Sequence, residues 1–434
     1  MDTPTSPTPV SEHSPEVHRP MHLRYFGLLK GNVRFRRLWL AQVISEMGDW
    51  FYSIAVYDLI LKLTGSGQAV SYAIIIQLLP WFFMTPLAGY MADHFSRRRL
   101  MILADVVRGM VVLGLLFVRS AADLWLIYAL LGLEVMFAAI FEPARNALIP
   151  NITKPEELLP ANALSSATWS FALTVGAALG GVVTAVLGRN TSFVVNSLSF
   201  FVSAVLIQRI AVSETHAAAV RGSDGARANG ASVLRESIAY FRSNPRVTVL
   251  VLAKTGLGLA GGYLLLLAVF GEKVFAVAGH GSLAIGLLYA ARGAGAGTGP
   301  IIGDYLTRGV ESRMWKTLGA SFLLMALAYC AFARAPNLPL AMLAVFCGHM
   351  GGSNVWVVST TLLQMHTSDR FRGRVFAVDF GMNMLTASGS NYAVGVGLDV
   401  FKLGPRQLAQ TLGMVLLHPA ALWLALQSRW CRNN

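Results

Sequence analysis

Long apolar stretches separated by short polar turns form the dominant pattern along this chain. A bilayer core requires about 20 mostly apolar residues per helix, and stretches of that kind begin near residues 36, 67, 99, 122, 158, 190, 246, 282, 314, 338, 374 and 407. The pattern therefore predicts an all-α, polytopic membrane protein with twelve transmembrane helices. Because twelve is even, both termini are expected on the same side of the membrane.

The longest polar interruption divides the twelve stretches into two sets of six. It covers about residues 211–244 and is rich in Gly, Ala, Ser and charged residues. We therefore predict a disordered cytoplasmic tail (1–31), a first six-helix half (32–210) and a cytoplasmic linker (211–244). A second six-helix half (245–429) and a short cytoplasmic tail (430–434) follow.

Composition and charge place the chain in a membrane. Hydrophobic residues make up 55% of the sequence and charged residues 13%, so a soluble globule of this size could not cover its apolar surface. The net charge of +13 does not indicate a nucleic-acid partner, because the bases concentrate at the predicted cytoplasmic helix ends. Residues 1–20 lack the apolar core of a signal peptide. The predicted location is the cytoplasmic (inner) membrane, multi-pass, with both termini cytoplasmic.

A charged segment between the second and third stretches predicts a gate. It reads Gly89-Tyr-Met-Ala-Asp93-His-Phe-Ser-Arg97-Arg98-Arg99. Glycine lets two helix ends approach closely, the aspartate can pair with arginines or cap a helix, and the arginines hold the turn on the inner face. A plain positively charged loop is the alternative. A degenerate copy at Gly299 to Arg308 supports two related halves.

The Gly-x-x-x-Asp-x-x-x-Arg-Arg pattern resembles the signature loop between helices 2 and 3 of the major facilitator superfamily, although His94 replaces the usual Arg and Ser96 the usual Gly. The resemblance extends from about Phe35 to Arg429 and implies the major facilitator fold, in which two six-helix halves rock about a midplane site. Four stretches are similar to the bacterial branch of enterobactin exporters and macrolide efflux pumps, and also to lysophospholipid transporters: 35–42, 144–150, 161–166 and 369–377.

Polar residues of the first helix predict a cavity. An ionisable side chain at bilayer depth needs a partner, water or a function. Five polar residues are spaced 4, 3, 4 and 4 and so share one helical face: Gln42, Glu46, Asp49, Ser53 and Tyr57. Glu46 and Asp49 are one turn apart, and their mutual repulsion suits proton exchange. Resemblance to drug/proton antiporters implies a coupling role for them. Alternatively, both acids accept hydrogen bonds or pair with a base.

Further polar residues extend the candidate site. Lys254 and Arg292 lie near the middle of helices 7 and 8, where they either neutralise the acids or hold an anion. We expect them to bias the cavity towards anionic or zwitterionic ligands. Asp105 and Arg108 are expected to form a local ion pair. The remaining candidates are Glu134 and Asp379 for proton coupling and Trp169, Trp356, Asn383 and Thr386 for the cavity, although the tryptophans could simply fill space.

These observations predict a secondary active transporter rather than an enzyme. The chain has no nucleotide-binding Gly-x-x-x-x-Gly-Lys-Ser/Thr loop, no metal-ligand cluster and no cysteine pairing, so no cofactor or metal is expected. The preferred function is proton-coupled export of an amphiphilic small molecule, a siderophore or drug. Its partners would be the substrate, protons and the lipid bilayer, with the protein acting as a monomer. The alternatives are a lysophospholipid flippase and a transporter-like protein without transport.

Overall fold

The computed structural model describes residues 21–212, 230–277, 280–308, 310–367 and 369–430. The first half is built from α1 (Met21–Gly31), α2 (Val33–Thr64), α3 (Gly67–His94), α4 (Arg97–Leu113), α5 (Leu124–Ile152), α6 (Pro155–Phe171), α7 (Ala177–Val186) and α8 (Arg189–Gln208). A π-helical turn, Ala172–Gly176, joins α6 to α7, and a 3₁₀ turn, Gly114–Phe117, extends α4.

The second half follows a helix that belongs to the predicted linker, α9 (Gly230–Ser243). It contains α10 (Pro245–Gly258), α11 (Tyr263–Lys273), α12 (Gly281–Thr307), α13 (Glu311–Arg334), α14 (Leu338–His366), α15 (Asp369–Asp399), α16 (Pro405–Val415) and α17 (Leu417–Trp430). A 3₁₀ turn, Leu259–Gly262, joins α10 to α11. The described residues form helices and turns, with a single isolated β-bridge between Val277 and His280.

Apart from α1 and α9, the described helices combine into twelve consecutive rods, because α6 with α7, α10 with α11, and α16 with α17 each follow one path. Each predicted start lies within five residues of a helix start. By length and composition, eight described helices could cross a membrane, and α2, α3, α12 and α15 are not among them. The all-helical, multi-pass architecture is therefore confirmed.

Short polar residues at the turns explain where several rods begin. The side chains of Asn32, Ser66, Ser96 and Asn337 each accept a hydrogen bond from the backbone N–H three residues later. Gly65 ends α2 with φ 64°, a left-handed conformation that favours glycine. Turns 65–66, 118–120 and 187–188 lie at one end of the bundle, here called the far end. Turns 95–96 and 153–154 lie at the other, the linker end.

The two halves contact each other at the far end. Asp399, at the end of α15, accepts hydrogen bonds from the Ser66 hydroxyl and from the backbone N–H groups of Gly67 (3.3 Å) and Gln68 (2.8 Å). Lys273 donates to the backbone carbonyl of Gly65 at 2.7 Å. Asp399 therefore caps the N-terminus of α3 from the opposite half, and we call this contact the far-end clasp.

The backbones of α7 and α12 also approach closely across the halves. A Cβ atom added to Gly286 would lie 2.5 Å from the carbonyl oxygen of Ala177, and one added to Gly181 would lie 2.8 Å from that of Ser282. Only glycine permits this approach. The halves are thus packed directly against each other over the far-end parts of these helices.

The tails and linker differ in part from the predicted segments. Residues 21–31 form α1 where we predicted a disordered tail, and α9 occupies part of the predicted linker. Arg374 of α15 pairs with Glu236 of α9 at 2.8 Å, which attaches the linker helix to the second half. Residues 1–20, 213–229 and 431–434, on which the rest of that prediction falls, lie outside the described residues.

Candidate functional site

A cavity of about 700 Å³ lies within the first half. Its lining comes from five rods and includes Gln42, Ser45, Glu46, Asp49, Trp81, Arg108, Ala138, Phe141, Glu142, Arg145, Asn146, Asn162, Ser165 and Trp169. The lining residues of α2 and α6 follow helix starts at the linker end, and those of α5 precede a helix end there. The cavity therefore extends from mid-bundle towards the linker end.

Arg108 forms the centre of one charged group on the cavity wall. Its guanidinium contacts Glu134 at 2.7 Å and Asp49 at 3.0 Å, and it lies 3.9 Å from Asp105. Asp105 also accepts a hydrogen bond from Ser203 at 2.6 Å. The arginine is 6% exposed. We call these residues the Arg108 cluster. The predicted local pair of Asp105 and Arg108 is thus the longest of three contacts.

Arg145 forms a second charged group nearer the linker end. It contacts Glu142 at 2.7 Å and Glu46 at 3.3 Å. The Gln42 amide donates to Glu46 at 2.8 Å and to the backbone carbonyl of Ser165 at 3.0 Å. Gln42 therefore fixes the position of the Glu46 carboxyl against α6. We call Arg145, Glu46 and Glu142 the Arg145 cluster.

Carboxyl groups outnumber guanidiniums in the two clusters. Asp49, Asp105, Glu134, Glu46 and Glu142 face Arg108 and Arg145, a formal excess of three negative charges when all are ionised. One oxygen of Glu46 and one of Asp49 are buried without a hydrogen-bond partner among the described residues. A buried acceptor of this kind is stabilised by a proton or a cation. The arrangement can therefore bind positive charge.

Four predicted residues line the cavity: Gln42, Glu46, Asp49 and Trp169. Ser53 and Tyr57 continue the same face of α2 beyond it. The Tyr57 hydroxyl contacts the Gln77 side chain at 2.5 Å, and its ring lies 5.9 Å from the ring of Tyr289 in the other half. The polar face of α2 thus serves the cavity at one end and packing between the halves at the other.

Lys254 does not meet the first-half acids. Its ammonium lies 2.5 Å from Asp379 and 4.4 Å from the ring centroid of Trp356, and both charged residues are buried. Asn383 donates to the backbone carbonyl of Lys254 at 2.7 Å. Thr386 donates to the carbonyl of its own helix at Met382. We expected Lys254, Trp356, Asn383 and Thr386 in the cavity lining, but none of the four lines this cavity.

The α15 polar face instead supports the break between α10 and α11. The Ser390 hydroxyl donates to the carbonyl of Leu259 at 2.6 Å and accepts from the N–H of Gly262 at 3.0 Å. The two helices also approach closely here. A Cβ atom added to Gly258 would lie 2.7 Å from the backbone carbonyl oxygen of Asn383, and one added to Gly261 would lie 2.6 Å from the Cα of Ala387. Backbone groups released by the break are thus satisfied inside the protein.

Arg292 lies outside the cavity lining as well. Its Nε donates to His349 at 2.9 Å, and the other ring nitrogen of His349 contacts the Tyr329 hydroxyl at 2.7 Å. The guanidinium lies 5.6 Å from the ring of Tyr289 and 5.9 Å from that of Trp50. The expected anionic bias of the cavity therefore has no support in this geometry, because both second-half bases lie elsewhere and acids predominate in the lining.

The predicted gate loop is described in part. Helix α3 continues to His94, and the side chains of Asp93 and His94 lie outside the described residues. Arg97 donates to the carbonyl of Ala147 at 2.8 Å and Arg98 to that of Ile210 at 2.9 Å, which ties the start of α4 to the ends of α5 and α8. Gly89 lies within α3, and Arg99 is exposed.

Sequence reasoning missed the two arginines as organising residues. Arg145 lies in the stretch 144–150 that carried the family resemblance, on the same helix as Glu134 and one turn from Glu142. That spacing was the available signal. Spacing along the chain indicates only the pair of Arg108 with Asp105, because the contacts of Arg108 to Asp49 and Glu134 join residues 59 and 26 positions away.

Known proteins similar to this chain are membrane transporters. It is 22% identical over 379 residues to macrolide efflux protein A of Streptococcus pyogenes, an alignment that covers 84% of this chain and 88% of that one. It is 31% identical over 185 residues to the putative bacilysin exporter BacE of Bacillus subtilis, covering 42% and 45%. With the uncharacterized transporter YfiS of Bacillus subtilis it shares 30% identity over 168 residues, which span only 40% of that protein.

Solved structures agree on the fold. The peptide transporter POT in complex with sulfate matches with a TM-score of 0.72 at 12% identity, covering 92% of this chain and 95% of that one. The nucleoside transporter NupG matches with a TM-score of 0.67 at 11% identity, covering 90% and 98%. Residues 38–390 match the sequence model of the Major Facilitator Superfamily. The chain is therefore a transporter of the Major Facilitator Superfamily, and not an enzyme.

Proposed function

We propose that the protein is a proton-coupled exporter of cationic, amphiphilic small molecules. The observation that carries the proposal is the excess of carboxyl groups over guanidiniums in the two clusters at the first-half cavity, whose lining holds three of the five acids. Five acids with two bases at membrane depth repel one another, and binding positive charge relieves that repulsion. Both a proton and an organic cation meet this need.

Competition between proton and substrate provides the coupling. A substrate cation that approaches the free oxygens of Glu46 and Asp49 makes proton binding there less favourable, and bound protons weaken the substrate in return. This reciprocity is a single coupling free energy. If protons load from the outside and substrate from the cytoplasm, exchange at the same acids expels the substrate.

Aromatic residues in the lining suit the apolar part of such a substrate. Trp169 and Trp81 contribute indole rings to the cavity, and Trp169 is 44% exposed. A cation over an indole face gains about 0.5–2 kcal/mol. The cavity thus combines negative charge with aromatic surface, a combination that favours amphiphilic cations over small inorganic ions.

Access from the linker end supports export from the cytoplasm. The cavity lies towards that end, while the far-end clasp and the close approach of α7 and α12 join the halves at the other. Arg97, Arg98 and Arg99 lie at the linker end, as the positive-inside rule expects for the cytoplasmic side of an inner-membrane protein. The names of two relatives, a macrolide efflux protein and a putative exporter, agree with this direction.

Transport into inside-out vesicles tests the proposal. Cells lacking their main efflux pumps would express the wild type, the Glu46→Gln/Asp49→Asn variant and Asp58→Asn as a matched control. Asp58 is a buried acid of the same helix that pairs with Lys62 at 2.9 Å, away from the cavity. An imposed pH gradient should drive accumulation of a lipophilic cation in the wild type and the control but not in the double variant. Accumulation that is equal with and without the gradient would overturn proton coupling.

A further inference from the structure

A second concavity lies in the other half and is not part of the proposed transport site. It is a groove of about 350 Å³ between α12, α13 and α14, lined by Gly299, Ile302, Leu306, Arg313, Lys316, Thr317, Ala320, Ser321, Leu324, Met350, Gly351 and Asn354. Its α13 residues occupy positions i, i+3, i+4, i+7, i+8 and i+11, counted from Arg313, and so form one face of that helix. We call it the α13 groove.

Two basic side chains lie at the linker end of this groove. Arg313 and Lys316 are exposed and lie three positions apart in the first turns of α13, and their side chains have no hydrogen-bond or ion-pair partner among the described residues. The acid beside them is already engaged, since Glu311 contacts His366 at 2.8 Å and accepts a hydrogen bond from Trp315 at 3.2 Å. The two positive charges therefore remain available to an anion.

The base of the groove is polar and incompletely satisfied. The amide of Asn354 donates to the Ser321 hydroxyl at 2.7 Å, and the residue is 6% exposed. Its carbonyl oxygen is buried without a hydrogen-bond partner among the described residues. This oxygen lies against the backbone of Gly303 in α12, where an added Cβ atom would be 1.8 Å from it.

The remaining walls are apolar and face outward. Ile302 and Leu306 of α12 are 41% and 53% exposed, and their neighbours Ile301 and Tyr305 are 69% and 70% exposed. Leu324 continues the apolar wall on α13. In a membrane protein, such exposed apolar residues on an outer face of the helix bundle contact lipid chains. The groove thus joins an apolar, lipid-facing wall to a pair of unpartnered bases.

We propose that the α13 groove binds an anionic phospholipid of the leaflet at the linker end. Arg313 and Lys316 hold the phosphate, and one acyl chain lies along Ile302, Leu306 and Leu324. Basic pockets between membrane helices on the cytoplasmic side recognise anionic headgroups by this charge complementarity. The assignment does not depend on the substrate or direction of transport, because the groove and the charged cavity lie in different halves.

Lipid retention by the purified full chain, measured by native mass spectrometry, tests the proposal. Phosphatidylglycerol and phosphatidylcholine with matched acyl chains would be offered to the wild type, to Arg313→Gln/Lys316→Gln and to Lys30→Gln/Arg34→Gln. The last pair removes two exposed bases at the linker end of the first half and serves as the charge-matched control. The groove variant should retain phosphatidylglycerol about tenfold less well than wild type and control.

A second variant keeps the test informative should the first fold poorly. Ala320 is exposed within the groove, so Ala320→Trp fills the space for a chain and leaves both bases in place. It should also lose phosphatidylglycerol. Equal retention of phosphatidylcholine and phosphatidylglycerol by the wild type, or equal loss in the groove and control pairs, would overturn the proposal. Displacement by inorganic phosphate as effectively as by phosphatidylglycerol would refute the acyl-chain contact and leave a simple anion site.

Discussion

At the scale of single residues, buried charges determine what this transporter can bind. Arg108 and Arg145 are each shared by more than one carboxyl group, whereas Lys254 has one carboxyl partner, Asp379. A shared arginine leaves negative charge available, and a one-to-one pair does not. The first half is therefore suited to exchange positive charge, and the second-half pair to hold α10 against α15.

The one-to-one pair should contribute to stability but not to coupling. Lys254→Met leaves the buried Asp379 without its partner, which costs about 3–5 kcal/mol, and Asp379→Leu does the same to the lysine. The double variant, Lys254→Met/Asp379→Leu, removes both charges and should recover most of that loss. Thermal unfolding in detergent measures all three. A double variant that is no more stable than the single variants would contradict the assignment.

Trp169 should contribute to substrate affinity. Trp169→Ala removes an exposed indole from the cavity lining without touching either charged cluster. We expect the apparent affinity for a lipophilic cation to fall about 2- to 30-fold, as the range for a cation–π contact implies, with proton coupling retained. Trp125→Ala, at a 67% exposed tryptophan outside the cavity lining, is the control. An unchanged affinity would remove Trp169 from the site.

At the scale of elements, α15 stabilises two other parts of the structure. Ser390 satisfies the break between α10 and α11, and Asp399 caps α3 from the other half. Asp379, Asn383 and Thr386 are spaced by three or four positions on α15, but such spacing does not distinguish a face that lines a cavity from one that supports an interrupted neighbour. That distinction depends on where α10 breaks, and Gly258 to Gly262 give only a weak signal of it.

The far-end clasp should control opening at that end. Asp399→Ala removes the acceptor for three groups at the start of α3, so states with the far end open become more populated. Ser71, fully buried beside Gly395 of the opposite half, offers a reporter as Ser71→Cys. A membrane-impermeant maleimide should label it several-fold faster in the Asp399→Ala background.

A matched aspartate at the same end makes this result specific. Asp123 accepts hydrogen bonds from the N–H groups of Arg119 and Ser120, both within the first half. Asp123→Ala therefore removes a cap without loosening the contact between halves, and labelling of Ser71→Cys should stay at the background rate. Equal acceleration by both substitutions would mean that the clasp has no special role.

At the scale of the whole molecule, the positions of the rods were predictable and the partners of their buried charges were not. The lengths of the apolar stretches and the position of the linker predicted where the rods lie, because the length and apolarity of a local segment suffice to predict a membrane helix. The partner of a buried charge depends on contacts between distant residues. Lys254 meets Asp379 125 positions away, and Arg145 meets Glu46 99 positions away, so the positions of charges along the chain do not predict which acid each base contacts.

The most direct test of the account is proton release on substrate binding. Purified protein in a weakly buffered detergent solution would receive a lipophilic cation while a pH indicator records the medium. We predict that the wild type and Asp58→Asn release protons in proportion to bound ligand, and that Glu46→Gln/Asp49→Asn releases few or none. Ligand binding by the wild type without proton release, or equal release by the double variant, would contradict competition at these acids.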